Sequence, residues 1–363
     1  MNTLGILHTN LLSPIVLAFV LGVVARLLRS ELRIPSTLYA SLSIYLLLAL
    51  GLKGGHELAS VGWEPLARPA LATILLGCIT PVSAYFALKR FGGFSVADSA
   101  GIAAHYGSVS AVTFIAAQQF VTAMGGTPES FMPTLLALLE SPGIHIALGL
   151  GVLAGAARTV KVRKRSLPVL AAAAGAGEGS VTILEELAED ELTEEATAPS
   201  FWRSLQEVVT GRTMILLAGG LVVGLLMGDA GWKQVQPFFD SGFKGALMLF
   251  LLEMGMLAAE RLGDLRRVGG FLLAFGILTP LVHGALGVVA GHLAGLSAAG
   301  ATVLGAMAGS ASYIAAPPAV RATLPDANPT YSLTLALGIT FPFNVVLGIP
   351  LFWRLATFLG SQR

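Results

Sequence analysis

Ten stretches of about twenty mostly apolar residues follow one another along this chain. They lie near 11–28, 35–52, 69–89, 95–122, 131–157, 212–230, 236–260, 266–292, 297–323 and 329–357. Each is long enough for a helix to cross the hydrocarbon of a bilayer. Lipid offers the backbone no hydrogen bonds, so a spanning chain must be helical or a closed barrel. The expected class is therefore an all-α polytopic membrane protein. Charge agrees, with 12% of residues charged against 55% hydrophobic, whereas a soluble domain carries about 25% charged residues. Cys78 is the single cysteine, which excludes an internal disulfide and a cysteine metal cluster. No Walker P-loop and no HExxH spacing occurs. The chain is therefore not expected to be an enzyme, to need a cofactor or to bind nucleic acid. The first ten residues lack a basic region, so no cleaved signal is read.

One long polar segment interrupts the spans and divides the chain into 1–157, 158–211 and 212–363. Sixteen of the 22 lysines and arginines fall on the side of that segment when the spans are threaded in order. By the positive-inside tendency, both termini are expected outside the cell (inner) membrane and the central loop in the cytoplasm.

The two apolar parts match. Leu47 pairs with Leu251, Pro81 with Pro280, Gly107 with Gly309 and Glu140 with Thr340, at offsets of 204, 199, 202 and 200 residues. Five spans per part is an odd number, so the second five-helix repeat enters the membrane inverted. Inverted repeats with interrupted helices are a transporter architecture.

The interruptions are legible as well. Gly107-Ser108-Val109-Ser110 and Gly309-Ser310-Ala311-Ser312 sit in the fourth and ninth spans, and Pro317-Pro318 follow the second. Glycine costs a helix interior about 1 kcal/mol and proline about 3. Unwound backbone at membrane depth is tolerated only against protein or a water-filled cavity. Two such breaks near the midplane present amide ends to an anion and carbonyls and hydroxyls to a small cation. Gly107, Ser108, Ser110, Gly309, Ser310 and Ser312 are the expected substrate-binding residues. The same four serines, with Glu140 and Asn344, are the expected sodium ligands, Glu140 and Asn344 being the strongest hard-oxygen donors. Glu140 and Glu253 are the acids set deepest in apolar surroundings, where a carboxylate usually faces an ion path or the protein interior. His105, His145 and His283 also lie within spans and read as packing residues. No lysine or arginine is mid-span, which favours a small, weakly charged anion over a dianion held by an arginine clamp.

The central segment opens on a basic strip, Arg158 to Arg165, continues through a linker, and carries seven acids between Glu185 and Glu195. It reads as a solvated linker or as a docking element for a soluble regulator.

The stretch Gly309–Leu351, "GSASYIAAPPAVRATLPDANPTYSLTLALGITFPFNVVLGIPL", resembles the corresponding region of the sodium-dependent bicarbonate transporters. "HYGSVSAVTFIAA" and "LLESPGIHIALGLGV" resemble that family's first-repeat counterparts. The resemblance implies a core and a gate domain built from five-plus-five inverted repeats, with two crossed discontinuous helices, and a homotrimer. It implies bicarbonate uptake by alternating access with sodium as the coupling ion, and control by a trimeric PII-like protein on the cytoplasmic face. Glu140 stands where cyanobacterial members tend to have an aspartate. Two other readings compete: a sodium/organic monocarboxylate symporter of bile-acid-symporter-like architecture, and a non-transporting sensor or scaffold.

Overall fold

The computed structural model of the protein describes residues 5, 10–61, 64–173 and 210–361. All regular structure among them is helical. The helices are α1 (Pro14–Leu27), α2 (Ser36–Val61), α3 (Glu64–Arg90), α4 (Val96–Gly107), α5 (Ala111–Ala123) and α6 (Met132–Ala173). After the central segment come α7 (Arg212–Gln236), α8 (Phe243–Leu262), α9 (Leu265–Leu293), α10 (Ala298–Ala308) and α11 (Ala316–Thr323). The last helical stretch, α12 (Pro329–Gly360), is interrupted by π-helical runs at Thr334–Thr340 and Asn344–Gly348.

Seven helical stretches among the described residues are long and apolar enough to cross a membrane. One of them, Met214–Leu262, covers both α7 and α8. It contains Gly228 at φ 60° and a π turn at Pro237–Ser241, where the chain reverses. The helices α1 and α10 are apolar but shorter. Each apolar window of the sequence falls on helix, with shifted ends. The second extends to Val61 and the sixth to Gln236, and the third begins at Glu64. Helix α6 runs past residue 157 to Ala173, so the basic strip is helical rather than the start of a loop. The acidic run Glu185–Glu195 lies outside the described residues.

Helix α1 packs along α8, and α2 along α7. Both contacts depend on glycine. A Cβ on Gly22 would run into the Leu252 carbonyl and one on Gly255 into that of Phe19. Gly55 and Gly224 stand in the same relation to Leu221 and Leu52 across the other pair. Small residues let helix backbones touch in lipid, where no hydrophobic drive between helices exists. On the other side of the molecule α3, α4 and α6 pack on one another, and α9 and α12 pack on α10.

Buried apolar side chains form two clusters. One gathers about α5 and α10 and the other about α4 and α11. Each interrupted helix therefore has one arm in each cluster. The window of Val96–Ala123 is 94% buried, which puts that pair at the centre of the molecule.

Prolines inside helices leave carbonyls without an amide partner, and distant side chains fill the gaps. Pro280 deprives the Gly276 carbonyl of its i+4 amide, and Thr340 Oγ1 donates to that carbonyl at 2.8 Å. Pro350 does the same to Val346. The Asn10 side-chain amide donates to Val345 at 2.8 Å and to Val346 at 3.2 Å. At membrane depth such substitutes are what make a helix break tolerable.

Candidate functional site

Each break is closed by the last serine of its Gly-Ser-x-Ser element. Ser110 is the N-cap of α5, its Oγ accepting from the Thr113 amide at 3.2 Å. Ser312 Oγ accepts from the amides of Ala315 and Ala316 at 3.3 and 3.4 Å, at the start of α11. Serine is favoured there because it satisfies amides that have no intrahelical partner. The first break covers three residues, Ser108 to Ser110, with Ser108 and Ser110 extended. The second is longer, from Gly309 to Ala315.

The two breaks hold each other across the crossing. The Ser110 amide donates to Ser310 Oγ at 2.8 Å, and Ser310 Oγ donates onward to the Met307 carbonyl at 2.7 Å. The Ser312 amide donates to the His105 carbonyl at 2.7 Å. His105 Nδ1 returns a bond to the Ser312 carbonyl at 2.6 Å. A carbonyl only accepts, so Nδ1 carries the proton. Asn344 Nδ2 donates to the Gly309 carbonyl at 2.8 Å.

Glu140 on α6 reaches the crossing because α6 comes unusually close to it. A Cβ on Gly143, three residues along, would land on the Gly107 carbonyl. Glu140 is 3% exposed. With Val109, Ser110, Ala111, Ser312, Tyr313 and Ile314 it encloses a cavity of about 10 Å³, room for one water-sized sphere.

Of the residues expected from sequence, Ser110, Ser312 and Glu140 therefore meet in one cavity. The others do not line it. Ser310 is a tie between the breaks. Gly107 and Gly309 are close-approach positions, facing Pro81 and Pro280 in turn. Ser108 Oγ and Asn344 Oδ1 are buried oxygens with no hydrogen-bond partner, free to accept but outside this lining. Glu253 is only half-buried on α8. His283 bonds Ser83 at 2.7 Å between α9 and α3, away from the cavity lining. His105, expected as a packing residue, is buried and hydrogen-bonded outside the cavity lining. Tyr313 lines the cavity without having been expected there, and it has no counterpart at Ala111.

Glu140, Ser110 and Ser312 give this small space an oxygen-bearing lining, the ligand type hard cations take. Among the described residues no group of three His, Cys, Asp or Glu could hold a metal ion. An anion of four heavy atoms needs a wider opening than this cavity gives.

A larger cavity of about 600 Å³ lies at the end of the molecule where α1 begins. It is polar, lined among others by Lys53, Glu57, Gln118, Glu129 and Asp240, and it reaches Ala49 and Leu50, half-way along α2. Lys53 and Asp240 pair at 2.8 Å. Comparison with known families gives a match. The family model described as the Na+-dependent bicarbonate transporter superfamily covers residues 14–357. No curated protein matches the chain.

Proposed function

The chain belongs to the Na+-dependent bicarbonate transporter superfamily, and on that premise we propose that it is a symporter importing bicarbonate with sodium by alternating access. The observation that carries the reading is the cavity that serines of both helix breaks line together with Glu140. Sodium is assigned to that cavity. Ser108 Oγ and Asn344 Oδ1, buried and without partners, are the further oxygens available to a solute when the breaks separate. The polar cavity at the α1 end is the proposed entry, with both termini on the outer side of the inner membrane.

The ten-span, five-plus-five arrangement belongs to the same proposal. Matched packing supports it: α1 with α8 and α2 with α7, and Pro81 against Gly107 as Pro280 is against Gly309. In this reading α1, α2, α7 and α8 form the gate, and the remaining helices form the core. A homotrimer and a PII-like regulator are proposed from family resemblance; of the 158–211 segment, where the regulator would dock, residues 174–209 lie outside the described residues.

Energetics suit sodium coupling. Moving one negative charge into a negative interior costs about 2.3 kcal/mol per 100 mV, and one sodium ion cancels that term. A tenfold sodium gradient then supplies about 1.4 kcal/mol, enough for tenfold accumulation. The test is labelled bicarbonate uptake into proteoliposomes over a grid of sodium and bicarbonate concentrations. Uptake should rise with external sodium and be indifferent to acetate or longer monocarboxylates as competing substrates at the crossing. Uptake that ignores sodium would remove the coupling.

A further inference from the structure

A second cavity at the α1 end has no evident use for a small hydrated anion. It measures about 420 Å³ and lies between α1 and α8 on one side and α5 and α12 on the other. Ile15, Val16, Phe120, Met248 and Ile349 line it. Bicarbonate passing along such walls would lose water hydrogen bonds and gain none. Most of the polar groups there are already committed. The Asn10 amide is spent on the Val345 and Val346 carbonyls, and Ser13 Oγ caps the Val16 amide.

Gln119 and Lys244 remain. Both also line the polar cavity next door, so they stand where the two spaces meet. Lys244 is exposed, and among the described residues no carboxylate pairs with it, whereas Lys53 is held by Asp240. No acid lines the apolar cavity. The volume is that of a small-molecule site: one mainly apolar pocket with one cation at its mouth that no carboxylate pairs among the described residues. It shares no lining residue with the crossing cavity.

We propose that this cavity binds a medium-chain fatty-acid anion, its carboxylate at Lys244 and Gln119 and its alkyl chain along Ile15, Phe120, Met248 and Ile349. A single cation selects a monocarboxylate over a phosphate dianion. The apolar walls select a chain over a short acid such as acetate.

The probe is radiolabelled octanoate, measured by equilibrium dialysis against the full chain in phospholipid nanodiscs, with empty nanodiscs subtracted. Saturable binding of one octanoate per chain is expected, with acetate failing to compete. Met248→Trp, at a position 39% exposed, fills the pocket and should abolish binding. Lys244→Gln should weaken it about threefold to fivefold and let octanol compete as well as octanoate. The exposed lysine carries the test if the tryptophan variant does not fold. Binding no greater than in empty nanodiscs, or equal in wild type and both variants, overturns the proposal. The readout needs neither sodium nor bicarbonate, so its failure and the failure of the transport reading are separate results.

Discussion

Ser110 and Ser312 each have two tasks, and substitution separates them. Each closes the second arm of a broken helix and also lines the cavity that Glu140 lines. Losing an N-cap serine to alanine costs about 1 kcal/mol, whereas glycine at that position costs only a few tenths. Ser110→Ala and Ser110→Gly should therefore differ in thermal stability yet lose sodium-dependent uptake to the same degree. Uptake that tracks stability instead would make the serine a cap and nothing more. At Glu140 the prediction is sharper. Glu140→Gln keeps the shape and removes the charge, so half-saturation by sodium should rise at least about tenfold, a loss of about 1.4 kcal/mol, while the protein stays folded. His105 makes a third case. His105→Ala leaves the Ser312 carbonyl without its donor in a buried place, a cost of about 1–3 kcal/mol. A matching drop in melting temperature is expected, with sodium affinity falling because the crossing loosens.

At the scale of elements, the contacts of α1 with α8 and of α2 with α7 are set by backbone touching backbone. Gly255→Leu or Gly55→Val should prevent accumulation of folded protein, since there is no flexible side chain to move aside. Gly149→Ala, where nothing lies within 4 Å, is the control and should be silent. Seven helical stretches among the described residues are long and apolar enough to cross a membrane. The helical class and both interruptions were legible in the sequence because apolar length and clustered Gly-Ser are local signals. The π-helical runs of α12 were not. They arise where Pro342 and Pro350 meet a bundle that can supply substitute donors, and those donors, such as Asn10, come from the far end of the chain. The role of His105 was hidden for the same reason, because its partner lies 207 residues away. Of the expected residues, Ser110, Ser312 and Glu140 line one cavity, and all three could be named from residue type and position. Which of them share a cavity depended on the close approach at Gly143, which no pattern announces.

Across the whole molecule, the outer ends of the crossed helices are fastened to loops of the opposite half. Glu129 Oε1 accepts from the Ser297 amide at 2.6 Å, just before α10. Asp98 Oδ1 accepts from the Asn328 amide at 2.8 Å, just beyond α11. With the central ties, the crossed pair is fixed at both ends and in the middle. Asp98→Asn should slow maximal uptake more than it raises the bicarbonate concentration for half-maximal uptake, because it loosens the Asn328 tie and lines none of the three cavities.

The His105–Ser312 exchange also bears on how the protein is made. When the ribosome has made only the first half of the chain, the His105 carbonyl and ring lack the Ser312 partners, and the Asn10 amide lacks the Val345 and Val346 carbonyls. Their counterparts are not synthesised until the closing stretch of the chain. A nascent product stopped before Ser297 is thus an unfinished insertion with polar valences exposed to lipid. Pulse-chase labelling should find it cleared by membrane proteases, and co-synthesis of the missing half should rescue it.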